Sequence, residues 1–151
     1  MSEHLATITW KRSTPDFAPR SYSRAHAWQF DSGVIVPASA APAYRGDVER
    51  VDPEEALVAS IASCHMLSFL FEAALKKFVV DSYDDTAAGV MTKNEHGKLW
   101  VSRVVLRPNI VFGGDQRPSA EDIAALHHLA HENCFIANSV KTEIVVEPRL
   151  A

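Results

Sequence analysis

The chain has 151 residues, of which 47% are hydrophobic and 23% charged, and this composition excludes disordered, collagen-like and coiled-coil proteins. Its net charge of -4, without any long basic run, argues against nucleic acid and anionic membranes as partners. The chain opens on no apolar signal segment, and its longest apolar stretch is interrupted by His65 and serines, so we expect no membrane span, a cytoplasmic location and reduced cysteines.

The first third of the chain predicts strands. Side chains alternate along residues 5–10 and again along 22–30, and Gly33 opens a short apolar run at 34–37. A loop that contains proline, alanine and glycine follows at 38–51.

A strong helix start comes next, in the run Asp52-Pro53-Glu54-Glu55. Asp52 can cap the helix, Pro53 suits its first position, and Glu55 completes a capping box. We predict that this helix continues to about Lys77. Its residues are apolar or small on nearly every side, which is typical of a central helix surrounded by protein.

The second half predicts three more strands, a second helix and a closing strand. The three strands lie at 79–83, 88–93 and 99–112, and the last strand lies at 142–147. The second helix begins at Ser119 and Asp122. The strands bracket the helices without regular alternation, so the pattern predicts an α+β fold with antiparallel sheets. No repeat or linker divides the chain, and we expect one domain over residues 1–151.

The two cysteines are the residues best suited to chemistry. Cys64 lies among small residues of the first helix, in Ala-Ser-Ile-Ala-Ser-Cys-His-Met, where another element or a ligand can approach closely. Cys134 falls on the apolar face of the second predicted helix and is followed by Phe135 and Ile136. Either both thiols are packed in the core, or they face each other and form and break one disulfide.

The motifs around these cysteines carry a resemblance. They are Asp52-Pro53-Glu54-Glu55-Ala56-Leu57, Ala62-Ser63-Cys64-His65-Met66, Cys134, Ser23-Arg24-Ala25-His26-Ala27-Trp28 and Asn138-Ser139-Val140-Lys141-Thr142-Glu143. Together they resemble the family of osmotically inducible protein C and the organic hydroperoxide resistance proteins. The resemblance implies curved antiparallel sheets wrapped around two central helices, in an intertwined homodimer with its active sites at the interface. It also implies a cysteine-based peroxidase that acts on organic hydroperoxides.

The resemblance assigns roles to five residues. Cys64 is the peroxidatic cysteine, Cys134 the resolving cysteine, and Glu54 the glutamate that holds an arginine, which is Arg45 or Arg24. The chain departs from the family where Phe135 replaces a common proline. The implied cycle passes through a Cys64 sulfenic acid and a Cys64–Cys134 disulfide, and an external dithiol, lipoyl-type or thioredoxin, restores the thiols.

The arginine and the glutamate also have a physical rationale. A free thiol is only a few per cent thiolate at pH 7, so the attacking cysteine needs a cation, and arginine is always charged. No metal or organic cofactor is required. Ten positions separate Glu54 from Cys64 on the helix, or ~15 Å along its axis, so we expect Glu54 to serve the site of the partner chain, with a break in the helix between them as the alternative.

Two other functions fit the same residues. His127, His131 and Cys134 share one helical stripe, and Cys64 with His65 would complete a metal-binding shell. Alternatively, the chain is a non-catalytic carrier that holds an apolar ligand, with both cysteines serving only as packing.

Overall fold

The computed structural model describes residues 2–149, in which eight strands and two α-helices are present. The strands are β1 (Ala6–Thr9), β2 (His26–Phe30), β3 (Ile35–Ala38), β4 (Val79–Asp85), β5 (Ala88–Lys93), β6 (Leu99–Leu106), β7 (Pro108–Gly113) and β8 (Glu143–Val146). The helices are α1 (Pro53–Leu75) and α2 (Ala120–Asn133), with 3-10 turns at Pro42–Tyr44 and Ala137–Ser139. The chain divides between Ala56 and Leu57 into two compact units, here called the N-terminal and C-terminal units. The single domain over 1–151 stays a prediction.

The N-terminal unit contains a three-stranded antiparallel sheet in the order β1-β2-β3. Gly33 has φ +84, a left-handed conformation that glycine adopts without strain, and it turns β2 into β3. The predicted strand at 22–30 is shorter in the structure, where β2 begins at His26. Residues before it bond locally instead, since the Ala25 N–H donates to the Ser23 hydroxyl at 3.2 Å.

Both helix starts are confirmed. The Glu55 N–H donates to the Asp52 carboxylate at 2.8 Å, and the Asp52 N–H donates back to Glu55 at 3.2 Å. Ser119 and Asp122 form the same reciprocal capping box ahead of α2. After α1 ends at Leu75, Lys77 takes a left-handed φ of 62, which stops the helix near the predicted position.

The C-terminal unit contains two sheets, β4-β7 and β5-β6-β8. Their pairs are antiparallel except that β8 runs parallel to β6. The strand predicted at 99–112 is divided at Arg107, whose backbone N–H donates to the Asp85 carboxylate at 2.6 Å rather than to a neighbouring strand. The predicted α+β fold is confirmed as two helices with open antiparallel sheets, while the intertwined homodimer stays a prediction.

The two sides of α1 have different surroundings. The residues buried on it, Ile61, His65, Phe69 and Ala73, recur every four positions and pack into the core. Leu67 and Phe71, in contrast, are 61% and 63% exposed. The prediction that this helix is surrounded by protein is therefore wrong for a single chain, which covers one face only.

The length and composition of α1 bear on the expectation that the chain has no membrane span, which stays a prediction. With a mean hydropathy of 1.6 in its most apolar part, of which 22% is buried, α1 is long and apolar enough to cross a membrane. A core helix of a soluble protein passes the same test of length and composition. One face of α1 does pack into the core of the C-terminal unit.

Candidate redox site

The two cysteines come together in the C-terminal unit. Cys64 is half-buried on α1, and Cys134 is 1% exposed at the residue that ends α2. Both are free thiols, and they lie close enough that Cys64 raises the pKa of the Cys134 thiol. The expectation that Cys134 is helical is wrong, because its backbone is extended, with φ -73 and ψ 112.

The segment after α2 supplies a backbone donor to each sulfur. The Ile136 N–H donates to Cys64 Sγ at 3.5 Å, and the Ala137 N–H donates to Cys134 Sγ at 3.4 Å. The 3-10 turn at Ala137–Ser139 orients these groups, and the Asn138 side chain donates to the Cys134 carbonyl at 3.1 Å. Donors in this position support negative charge that develops on a sulfur atom.

The environment of Cys134 distinguishes the two thiols. Burial, together with the neighbouring Cys64 thiol, raises the pKa of the Cys134 thiol to about 11. At pH 7 such a thiol is roughly one part in ten thousand thiolate. Cys134 is therefore unsuited to make a first nucleophilic attack, which leaves that step to Cys64.

The N-terminal unit has a cavity of about 540 Å³. Its walls are mainly apolar and aromatic, and the polar groups on them are few. The lining residues used below are Trp10, Phe17, Tyr22, Arg24, Tyr44 and Glu54. An apolar cavity with a few convergent polar groups is the usual form of a small-molecule site.

Three of the aromatic rings that line the cavity contact one another. The ring centroids of Trp10 and Phe17 are 5.8 Å apart, and those of Phe17 and Tyr22 are 5.3 Å apart. The Trp10 indole N–H donates to the Ser23 carbonyl at 2.8 Å. These contacts hold this part of the cavity wall together, and neither Trp10 nor Phe17 was predicted from the sequence as a site residue.

The structure groups one of the two candidate arginines with Glu54. Arg24 lies 4.5 Å from the Tyr22 ring centroid, donates to the Pro19 carbonyl at 2.9 Å, and lines the cavity with Glu54. Arg45 is exposed, donates to the Arg20 carbonyl at 3.2 Å, and is not among the described residues that line the cavity. Among the described residues, neither Cys64 nor Cys134 lines this cavity, and Phe135, which follows Cys134, is 81% exposed.

Two buried histidines pair with each other: His65 directly follows Cys64, and His127 precedes Cys134 by seven positions. His65 Nε2 and His127 Nδ1 are 3.1 Å apart, so that one donates to the other. Burial is the main cause that lowers the pKa of each histidine to about 4, and for His65 the neighbouring His127 and His131 contribute to the same shift. Both imidazoles are therefore neutral at pH 7.

The metal hypothesis gains no support from this arrangement. The His127 nitrogen that faces His65 is already paired, while His131 is exposed. Within residues 2–149, no group of three or more histidine, cysteine, aspartate or glutamate side chains is arranged to hold a metal ion. The stripe of His127, His131 and Cys134 is thus not a ligand set.

The histidine pair predicts how stability depends on pH. In the unfolded chain both histidines bind protons below about pH 6.5, whereas in the folded chain they resist protonation down to about pH 4. This difference contributes to the free energy of unfolding. The contribution is fully present above pH 6.5 and is lost as the pH falls towards 4, at up to about 1.4 kcal/mol per pH unit for each histidine. Urea unfolding between pH 7 and pH 4.5 measures this slope. The double variant His65→Gln/His127→Asn should lose most of it, and equal slopes for the two proteins would contradict the prediction.

Comparisons with known proteins are consistent with the geometry of this chain. Residues 46–149 match the family model described as OsmC-like protein. No curated protein matches the chain. An OsmC-like protein of unknown function from Vibrio cholerae is 51% identical, with a TM-score of 0.95 over 99% of this chain and 100% of that one.

Two more distant structures show the same fold. An organic hydroperoxide resistance protein from Elizabethkingia anophelis, crystallised with thiocyanate bound, is 19% identical, with a TM-score of 0.73 over 98% of this chain and 94% of that one. The organic hydroperoxide resistance protein OhrB of Bacillus subtilis is 18% identical, with a TM-score of 0.71 over 98% of each chain. At these identities the likeness concerns the fold.

Proposed function

The chain belongs to the OsmC-like family, and on that premise we propose that it is a thiol-dependent peroxidase that reduces organic hydroperoxides to alcohols. The observation that carries the proposal is that the Cys64 and Cys134 thiols lie together, one on α1 and one just after α2, and that the backbone N–H groups of Ile136 and Ala137 donate to them. Structures of the same fold that are named organic hydroperoxide resistance proteins support the reaction class.

The proposed cycle has three steps. The Cys64 thiolate attacks one peroxide oxygen, an S–O bond forms as the O–O bond breaks, and the alcohol leaves after taking a proton. The Cys134 sulfur then attacks the Cys64 sulfenic acid, forming the disulfide and releasing water. An external dithiol, lipoyl-type or thioredoxin, supplies two electrons and two protons to regenerate both thiols.

The properties of the two cysteines support this order of events. Cys134 is buried and protonated at neutral pH, whereas Cys64 is half-buried and accepts a hydrogen bond from the Ile136 N–H. When Cys64 becomes a sulfenic acid, the adjacent Cys134 sulfur is the nearest nucleophile. The half-buried thiol therefore acts first and the buried one second.

We assign the cation of the site to Arg24 rather than Arg45, with Glu54 as its carboxylate. The basis is that Arg24 and Glu54 line one cavity, whose apolar and aromatic walls suit the organic part of a hydroperoxide. A guanidinium there orients the peroxide oxygens and supports the charge of a thiolate.

We further propose that the working form is a homodimer. The exposed side of α1 presents Leu67, Phe71 and Leu75, each more than 60% exposed. An apolar face of this kind is typical of an interface, and a second copy that packs on it would follow two-fold symmetry. Glu54 and Cys64 are ten residues apart on α1, or ~15 Å, so we assign Glu54 to the site that contains the Cys64 of the partner.

The aromatic cavity also favours a second candidate function, a carrier that binds an apolar ligand without chemistry. The two functions differ in one assay. A peroxidase consumes a dithiol such as dihydrolipoamide when cumene hydroperoxide is added, whereas a carrier consumes none above background.

We expect organic hydroperoxides to be preferred over hydrogen peroxide. Burying about 60 Å² of apolar substrate surface contributes about 1.5 kcal/mol, or roughly tenfold in kcat/KM, and hydrogen peroxide has no such surface. Steady-state kinetics with cumene hydroperoxide and hydrogen peroxide, at a fixed dithiol concentration, measure the ratio. A value of kcat/KM for hydrogen peroxide equal to or above that for cumene hydroperoxide would contradict the proposed substrate class.

A further inference from the structure

A buried histidine pair connects the two helices that carry the cysteines. His65 directly follows Cys64 on α1, and His127 lies two helical turns before Cys134, which ends α2. The two histidines are 1% and 6% exposed, their facing nitrogens are 3.1 Å apart, and their rings are within 9° of parallel. This single buried hydrogen bond thus joins the helix that carries Cys64 to the helix that Cys134 ends.

Core stability alone does not account for this pair. The outer nitrogens, His65 Nδ1 and His127 Nε2, have no hydrogen-bond partner among the described residues. A neutral imidazole has one N–H and one lone pair, so whichever ring donates, one donor and one acceptor remain unpaired. Two apolar side chains of similar volume would avoid that loss, as they do elsewhere in the same core.

A directional hydrogen bond fixes the position of one helix relative to the other, which apolar core contacts do not. Phe69, whose ring centroid lies 4.5 Å from that of His127, belongs to a core cluster with Ala73, Leu126 and Ala130. Such apolar contacts attract without a preferred direction, so they tolerate small sliding of one helix along the other. A disulfide needs its Cβ atoms roughly 3.5–4.5 Å apart, and a slide by one residue moves a helix by ~1.5 Å, which exceeds that window. A hydrogen bond restricts its two atoms to a range of about 0.5 Å.

We propose that His65 and His127 are positioning residues, which set the register of α1 against α2 and thereby hold Cys64 and Cys134 where their disulfide can form. Neither histidine takes a chemical role. The inference rests on the proposed function, because it takes the Cys64–Cys134 disulfide as a step of the cycle.

The test compares two nearly isosteric substitutions, His127→Asn and His127→Leu. Asparagine keeps a polar atom at the position of His127 Nδ1, whereas leucine has none. The effective concentration of the Cys64–Cys134 pair is measured at equilibrium with reduced and oxidised dithiothreitol, without hydroperoxide. We expect His127→Asn to remain within about twofold of wild type and His127→Leu to fall by about tenfold or more.

Leu126→Val is the matched control, since it weakens the same core on α2 and leaves the histidine pair intact. It should lower Tm without changing the effective concentration. Equal values for His127→Asn and His127→Leu would overturn the positioning role, as would a loss in Leu126→Val as large as that in His127→Leu at similar Tm.

Two further outcomes are decisive. If His127→Leu does not fold, the double variant His65→Gln/His127→Asn tests the inference instead, because it retains both facing polar atoms. An effective concentration within about twofold of wild type supports the inference, and a tenfold loss overturns it. If the wild-type protein forms no Cys64–Cys134 disulfide, the proposed reaction cycle itself is contradicted, together with the inference. Equal values for the asparagine and leucine variants leave the cycle intact.

Discussion

Replacing Cys64 by serine should abolish hydroperoxide reduction, whereas replacing Cys134 by serine should leave the first turnover intact and prevent recycling through the disulfide. Cys64 is the half-buried thiol towards which the Ile136 N–H is directed, and Cys134 is buried with its pKa raised to about 11. Only Cys64 is suited to the first attack. Stopped-flow consumption of cumene hydroperoxide, with enzyme in excess, measures the first turnover of each variant.

A chemical probe separates the two roles further. In Cys134→Ser the Cys64 sulfenic acid has no thiol partner, so a dimedone-type reagent should label Cys64 after one equivalent of hydroperoxide. Ser63→Ala is the matched control, because Ser63 neighbours Cys64 on α1 and is exposed. It should behave as wild type. Equal first-turnover rates for wild type and Cys64→Ser would refute the assignment.

Mixing two inactive chains should restore activity if Glu54 acts on the partner's site. One chain carries Glu54→Gln and the other Cys64→Ser. A heterodimer then has one site that lacks both residues and one intact site, so an equimolar random mixture should regain about a quarter of the wild-type sites. The reason is that α1 separates the two residues by ~15 Å within a chain.

The matched control mixes Glu54→Gln with the double variant Glu54→Gln/Cys64→Ser. This mixture contains no Glu54 at all, so it should remain inactive while forming heterodimers to the same extent. Native mass spectrometry measures the heterodimer fraction in both samples. Activity no higher than that of the parents, in a sample rich in heterodimer, would exclude the action of Glu54 in the partner's site.

Features that depend on neighbouring residues could be predicted from the sequence. The capping boxes of Asp52 with Glu55 and of Ser119 with Asp122 were predicted because each involves residues three positions apart. The division between β6 and β7 could not be predicted, because it depends on the Arg107 N–H and the Asp85 carboxylate, 22 residues apart. Only tertiary packing brings such groups together.

In the candidate site, too, contacts between residues far apart in the sequence could not be predicted. The resemblance assigned roles to Cys64 and Cys134, but no local pattern indicates that Cys134 falls just beyond its helix or that the Ile136 N–H faces Cys64. The pairing of His65 with His127 is also a tertiary contact, over 62 residues. In the sequence these histidines suggested only a metal site, because helical spacing shows which residues share a face and not what lies opposite.

The central claim is that the two thiols together deliver the two electrons that reduce one hydroperoxide. The most direct test adds one equivalent of cumene hydroperoxide to the fully reduced wild-type protein, without any external reductant, and maps the products by mass spectrometry. We expect one cumyl alcohol, the loss of two thiols and one Cys64–Cys134 disulfide per chain. Hydroperoxide that remains unconsumed while both thiols stay free would contradict it.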